Sequence, residues 1–235
     1  MDVQTLIPQK TPSATIIITG IALAMLIPLG LTIAIGDTSI SYYDKVFYSR
    51  FFYWGTMLFL FFYAYKIEHQ PLLIWKPAKF DAWIFIVSVI VLYLLFIGAA
   101  IVSAIPTFLG LHDNREVITK IIKVITGHPF LLFLISFTAG VTEEFIFRGY
   151  ILTRLMQLFK KPLWPVLISS ILFSALHYKY NSLHEYIFAF AIGVIFSIYY
   201  IKYRDIKPLI VTHFLIDFIN LHLAEYLFKI RSHTK

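Results

Sequence analysis

Ala82-Trp-Ile-Phe-Ile-Val-Ser-Val-Ile-Val-Leu-Tyr-Leu-Leu-Phe-Ile-Gly-Ala-Ala-Ile-Val-Ser-Ala-Ile105 carries no acidic or basic residue from end to end. About 20 consecutive apolar residues are what an α-helix needs to cross a bilayer, where its backbone must satisfy its own hydrogen bonds. Other runs extend the reading outward. Thr11 to Gly36 is free of charge, and it continues too far past Ala22-Leu23-Ala24 to be a cleaved leader. Val46 to Tyr65 is aromatic-rich, with Arg50 near one end where it could snorkel to the interface. Val124 to Thr142, Pro162 to Tyr178, Tyr186 to Ile201 and Pro208 to Phe228 complete the set. The expectation is an all-α, multi-pass transmembrane bundle of about seven helices, with six or eight as neighbouring counts. Residues 1–235 then form one membrane domain, with short loops and no separate soluble unit.

Composition agrees. Of 235 residues, 59% are hydrophobic and 14% charged, and the mean hydropathy is +0.78. Soluble domains run nearer 45–50% and about 25%. The formal charge of +7 is explained by basic loops against anionic headgroups, so the lipid bilayer and not nucleic acid is the expected partner. The absence of cysteine excludes disulfides, thiolate metal sites and a cysteine nucleophile. Lys66, Lys76 and Lys79, then Lys160 and Lys161, then Lys202, Arg204 and Lys207 lie in alternate loops. The positive-inside tendency puts these loops and the N-terminus in the cytoplasm. Arg115, Lys120, Lys123, Lys229 and Arg231 fall on the other side. Asp113 to Ile125 has capping-box spacing at Asp113 and Glu116, and isoleucines and valine at helical period. It suits an amphipathic helix in the headgroup plane, either a plain interfacial linker or a gate beside a site.

Ionisable groups inside a span cost about 2.5–3.5 kcal/mol each, so each needs a reason. Three segments contain them. Val-Thr-Glu143-Glu144-Phe-Ile-Phe-Arg148 places Glu144 and Arg148 one turn apart in the favourable order, as a buried ion pair. Glu143 points about 100° away, without that partner, on the side of Gly140, which would leave room for substrate or water. Phe173-Ser-Ala-Leu-His177 carries His177 with Ser170 and Ser174 on one face. His213-Phe-Leu-Ile-Asp217 sets imidazole and carboxylate one turn apart near Asn220, with His222 on the opposite face. Each group has a bland structural reading, but together they suit hydrolysis: a base for water, a group to hold that water, and donors for an oxyanion. Other hydrolytic patterns fail. His184-Glu185-Tyr-Ile-Phe188 lacks the second histidine of a zincin, and no Gly-x-Ser occurs.

The three motifs in this order, Glu143-Glu144-x-x-x-Arg148, Phe173-x-x-x-His177 and His213-x-x-x-Asp217, resemble the CPBP intramembrane proteases. That family includes type II CAAX prenyl endopeptidases and bacteriocin-processing or immunity proteins. The resemblance covers about residues 124–228 and implies a membrane endopeptidase. It implies Glu143 as general base, His177 positioning water, His213 and Asp217 stabilising the oxyanion, and Glu144 with Arg148 as a supporting pair. Some members carry Asn at the last position. Here Asp217 is either protonated, an orienter of His213, or a metal ligand. Glu143, His177 and His213 are the alternative zinc set, a His₂Glu site with water in the fourth place. The expected substrate is a peptide or membrane protein, and the expected location a prokaryotic plasma membrane. A non-catalytic immunity or scaffold protein is the second reading. An ion transporter is the third, and no internal repeat speaks for it.

Overall fold

A computed structural model describes residues 11–75 and 81–233, so Lys76 and Lys79 lie outside the described residues. Eight helices carry them: α1 (Ala14–Gly36), α2 (Tyr42–Lys66), α3 (Ala82–Phe108), α4 (Glu116–Ile125), α5 (Pro129–Leu158), α6 (Leu163–Ala175), α7 (Leu183–Tyr203) and α8 (Lys207–His233). There is no strand among the described residues. Four helices (α1, α3, α5 and α7) have the length and composition to cross a membrane, and the chain is a helical integral membrane protein. The count of seven spans is not reached on this measure, because α6 is short and α2 and α8 are more polar. The outer surface fits a lipid solvent: Ile84, Ile90, Leu94 and Ile101 of α3 all face outward.

Local chemistry sets the helix starts. Ser13, Ser41, Asp81 and Ser182 each accept, through the side chain, a backbone N–H three residues on. Ser182 capping Glu185 accounts for His184-Glu185: this is the first turn of α7. The amphipathic helix starts later than the spacing suggests. Asn114, not Asp113, takes the Glu116 N–H at 2.9 Å, and the helix begins at Glu116. On its exposed face Lys120 donates to Glu116 at 2.7 Å. That hydrogen bond, reinforced by charge attraction, holds the Glu116 carboxyl below its ordinary range and the Lys120 ammonium above its own. The expected fourth span from Val124 is broken by Gly127, whose φ of +81° is left-handed, and α5 opens at Pro129.

α5 is the axis of the bundle. From Ala139 to Leu152 it is wound almost throughout as a π-helix, interrupted only at Glu144. Leu152 and Met156 join one core cluster with Phe96, Phe196 and Tyr200, while Ile146, Phe147 and Ile151 join another with Leu60, Leu72 and Phe173. Two close crossings fix its neighbours. A Cβ on Gly140 would lie 2.9 Å from the Phe214 amide nitrogen and 3.0 Å from the Ile210 carbonyl oxygen. Gly140 therefore makes room for the α8 backbone and not for substrate. Likewise a Cβ on Gly193 of α7 would stand 2.9 Å from Ser170 Cα on α6.

A buried polar network ties the loop after α2 to α5. Arg154, fully buried, donates through Nε and Nη2 to Glu68 Oε2 at 2.9 and 2.6 Å, and to the carbonyls of Leu72 and Pro71. The Tyr150 hydroxyl donates to the other Glu68 oxygen at 2.7 Å. Burying such charges is costly unless their bonding positions are filled, and here they are.

Candidate active site

The close approach at Gly140 sets Glu143 and Glu144 of α5 beside His213 of α8. The Glu144 side chain is fully buried, and its Oε1 takes two donors: Arg148 Nη1 at 2.8 Å and His213 Nδ1 at 2.7 Å. The expected Glu144–Arg148 pair is therefore present, and it extends to a histidine on another helix. A carboxylate only accepts, so this contact requires the proton on Nδ1 and turns Nε2 the other way. Nε2 of His213 faces Glu143 Oε2 at 3.9 Å and Asp217 Oδ2 at 3.8 Å. Both separations exceed a direct hydrogen bond and suit one small oxygen species between the groups. Asp217 thus makes no hydrogen bond that orients His213; Glu144 makes it.

His177 stands at the end of α6, where the chain tightens into a 3₁₀ turn over Leu176–Tyr180. Its Nδ1 meets the Phe173 carbonyl at 3.0 Å, and since a carbonyl only accepts, Nδ1 again carries the proton and Nε2 bears the lone pair. Phe173 organises the neighbourhood. Its ring lies 5.2 Å from the His177 ring and 6.2 Å from that of His213, and the Arg148 guanidinium stacks over it at 4.6 Å. Phe196 lies against the same guanidinium at 5.2 Å. Two aromatic faces therefore help hold the buried cation.

These groups open onto one cavity of about 400 Å³, whose wall includes Glu143, His177, His213, Asp217 and Asn220. The structure brings the four candidate catalytic residues together there, with Glu144 and Arg148 behind them. The serines go elsewhere: Ser170 Oγ donates to the Val166 carbonyl and Ser174 Oγ to that of Tyr186. Asn220 spends its amide on the Ile216 carbonyl at 2.7 Å, and His222 lies outside the cavity wall. The wall also includes residues that sequence reasoning did not single out for the site: Tyr53, Tyr180 and Glu185. Arg50 lies on it too, where snorkelling to the interface was expected. Ile118 and Ile121 of α4 lie over the same space. Only an unpaired cation in an apolar segment could have flagged Arg50 in advance; the others carry no local signal.

The alternative zinc set does not fit. Among the described residues no three His, Asp or Glu side chains are grouped to hold a metal ion. Glu143, His177 and His213 share the wall of one cavity.

Residues 125–219 match the family described as Type II CAAX prenyl endopeptidase Rce1-like. The match runs from the last residue of α4 to Ile219 of α8 and takes in all three motifs. Comparison with curated proteins and with solved structures yields no match.

Proposed function

The segment that carries the motifs belongs to the CPBP/CAAX protease family, and from that premise we propose that the protein is an intramembrane endopeptidase. Its substrate would be a membrane-associated or lipidated peptide or protein, cut by water that Glu143 activates. The observation that carries this reading is the shared cavity in which His213 Nε2 faces Glu143 at 3.9 Å and Asp217 at 3.8 Å.

The chemistry follows from the groups. Glu143 accepts a proton from water as the hydroxyl oxygen adds to the carbonyl carbon of the scissile bond. His177, its Nδ1 proton held by Phe173, turns the Nε2 lone pair toward that water. Negative charge grows on the carbonyl oxygen. The imidazolium form of His213 donates from Nε2 to it, with the Glu144 carboxylate on Nδ1 supporting the positive ring. Asp217 donates in its protonated form; ionised, it favours the imidazolium. The proton on Glu143 then passes to the leaving nitrogen as the C–N bond breaks, giving a carboxylic acid and an amine that leave as carboxylate and ammonium. No metal enters these steps.

In this reading the chain is a single membrane domain with its catalytic core at about residues 124–228, in a prokaryotic plasma membrane. α2, α6 and α8 complete a set of seven crossing helices, their polar groups turned toward the cavity and the bundle. The test compares new protein N-termini in host membranes holding the wild type or Glu143→Ala at equal abundance. Termini seen only with the wild type support proteolysis and identify the substrate. A biological effect that survives unchanged in Glu143→Ala and His177→Ala would favour the immunity or scaffold reading.

A further inference from the structure

Arg50 lies about two turns into α2 and is partly buried. It is in no ion pair among the described residues. Its Nε and Nη2 both point at Ser49 Oγ, at 3.3 and 3.0 Å, and its guanidinium lies 5.2 Å from the Tyr53 ring centre. Two donors converge on one oxygen, so most of the five N–H groups keep free capacity. Its place is specific. A second cavity of about 230 Å³ lies between α1, α2 and α4, and it shares Arg50, Tyr53, Ile121, Ile135, Leu176 and Tyr180 with the catalytic cavity. Among the described residues Arg50 is the one cation in this shared wall. The other basic groups of the second cavity are engaged: Lys45 donates to the Gly36 carbonyl at 2.7 Å, and Lys179 to that of Thr32 at 3.2 Å.

A cation held against apolar and aromatic walls without a counter-ion is costly unless a ligand supplies the charge. Coulomb attraction from Glu143 and Asp217 across the cavity offsets part of that cost, but neither touches it. The planar guanidinium fork matches a carboxylate in two-point contact. We infer that Arg50 is a specificity-determining residue that anchors a carboxylate of the bound peptide, either its free C-terminus or an acidic side chain. This rests on the peptidase reading only in taking the ligand to be a peptide.

The test uses full-length Glu143→Gln protein in phosphatidylcholine nanodiscs and three fluorescent, N-acylated peptides of one sequence. One ends in a free carboxylate, one in an amide with a single internal Glu, and one in an amide with Gln there. At least one acidic probe should bind roughly tenfold tighter than the neutral one, as expected for charge-assisted hydrogen bonds. Adding Arg50→Gln should abolish that preference, and Arg50→Lys should keep part of it. The acidic probe that shows the preference names the source of the carboxylate. A preference that survives Arg50→Gln, or none at the start, overturns the proposal. So does an Arg50→Gln effect confined to retention of added phosphatidylglycerol, which would assign the guanidinium to a lipid phosphate. If Arg50→Gln fails to fold, Arg50→Lys decides by the same comparison. Binding is read without cleavage, so wild-type protein that binds through Arg50 but cuts none of its membrane substrates would refute the peptidase reading and leave the anchor standing.

Discussion

His213 Nδ1 donates to Glu144 Oε1 at 2.7 Å, joining residues 69 positions apart on α5 and α8. The same oxygen takes Arg148 at 2.8 Å, so a single buried carboxylate holds a guanidinium and sets which imidazole nitrogen looks into the cavity. Under the proposed mechanism Glu144 acts as a positioning residue.

Glu144→Gln removes the charge that both partners use and leaves Arg148 buried without it. Stability should fall by roughly 3–5 kcal/mol. Combining it with Arg148→Met should recover much of that stability. Cleavage should not recover, because His213 still lacks its carboxylate. Thermal unfolding and peptidase rates on the single and double variants check both parts; restored cleavage in the double variant would contradict the role.

Gly140→Ala puts a methyl 2.9–3.0 Å from the α8 backbone, and backbone cannot rotate away. A loss of roughly 1–3 kcal/mol and a large fall in rate are expected, since α8 carries His213 and Asp217. Gly55→Ala is the control: nothing lies within 4 Å of its added Cβ. There the same change should be neutral or stabilising by about 0.5–1 kcal/mol. Melting temperatures of the two variants should therefore move apart.

Arg154→Ala strands Glu68, whose oxygens bind Arg154 and Tyr150 away from the cavity. A loss of about 3–5 kcal/mol is expected, with the rate per folded molecule unchanged. Active-site titration alongside thermal unfolding separates the two effects.

Chelation bears on the metal question. Among the described residues no carboxylate and imidazole groups are drawn together as a ligand set, so activity after dialysis against a strong chelator should stay within about twofold, the scatter expected for an uninvolved metal. A loss that zinc restores would contradict this.

Much of the site was legible because its signals are local. Glu144 and Arg148 are one turn apart, and a helix of any register brings them together. Charge-free runs such as Ala82 to Ile105 announce themselves by composition. What the sequence hid depends on how helices cross. Glu144 reaches His213 only because Gly140 lets α8 approach, and periodicity along one helix holds no record of its neighbour. Gly140 therefore read as space for substrate. The Glu68–Arg154 network was missed for the same reason, its partners lying 86 positions apart. The start of α5 was misplaced because Val124 and Ile125 look like the start of a span, while the turn at Gly127 depends on one left-handed residue.

Peptide-bond cleavage in the proposed mechanism depends on Glu143 activating water. Purified wild type and Glu143→Gln, reconstituted in the same lipid with matched melting temperatures, should be compared on a substrate identified from host membranes. The isosteric amide, unable to take the proton, should cut at least about a hundredfold more slowly. A Glu143→Gln protein that cleaves at the wild-type rate would contradict it.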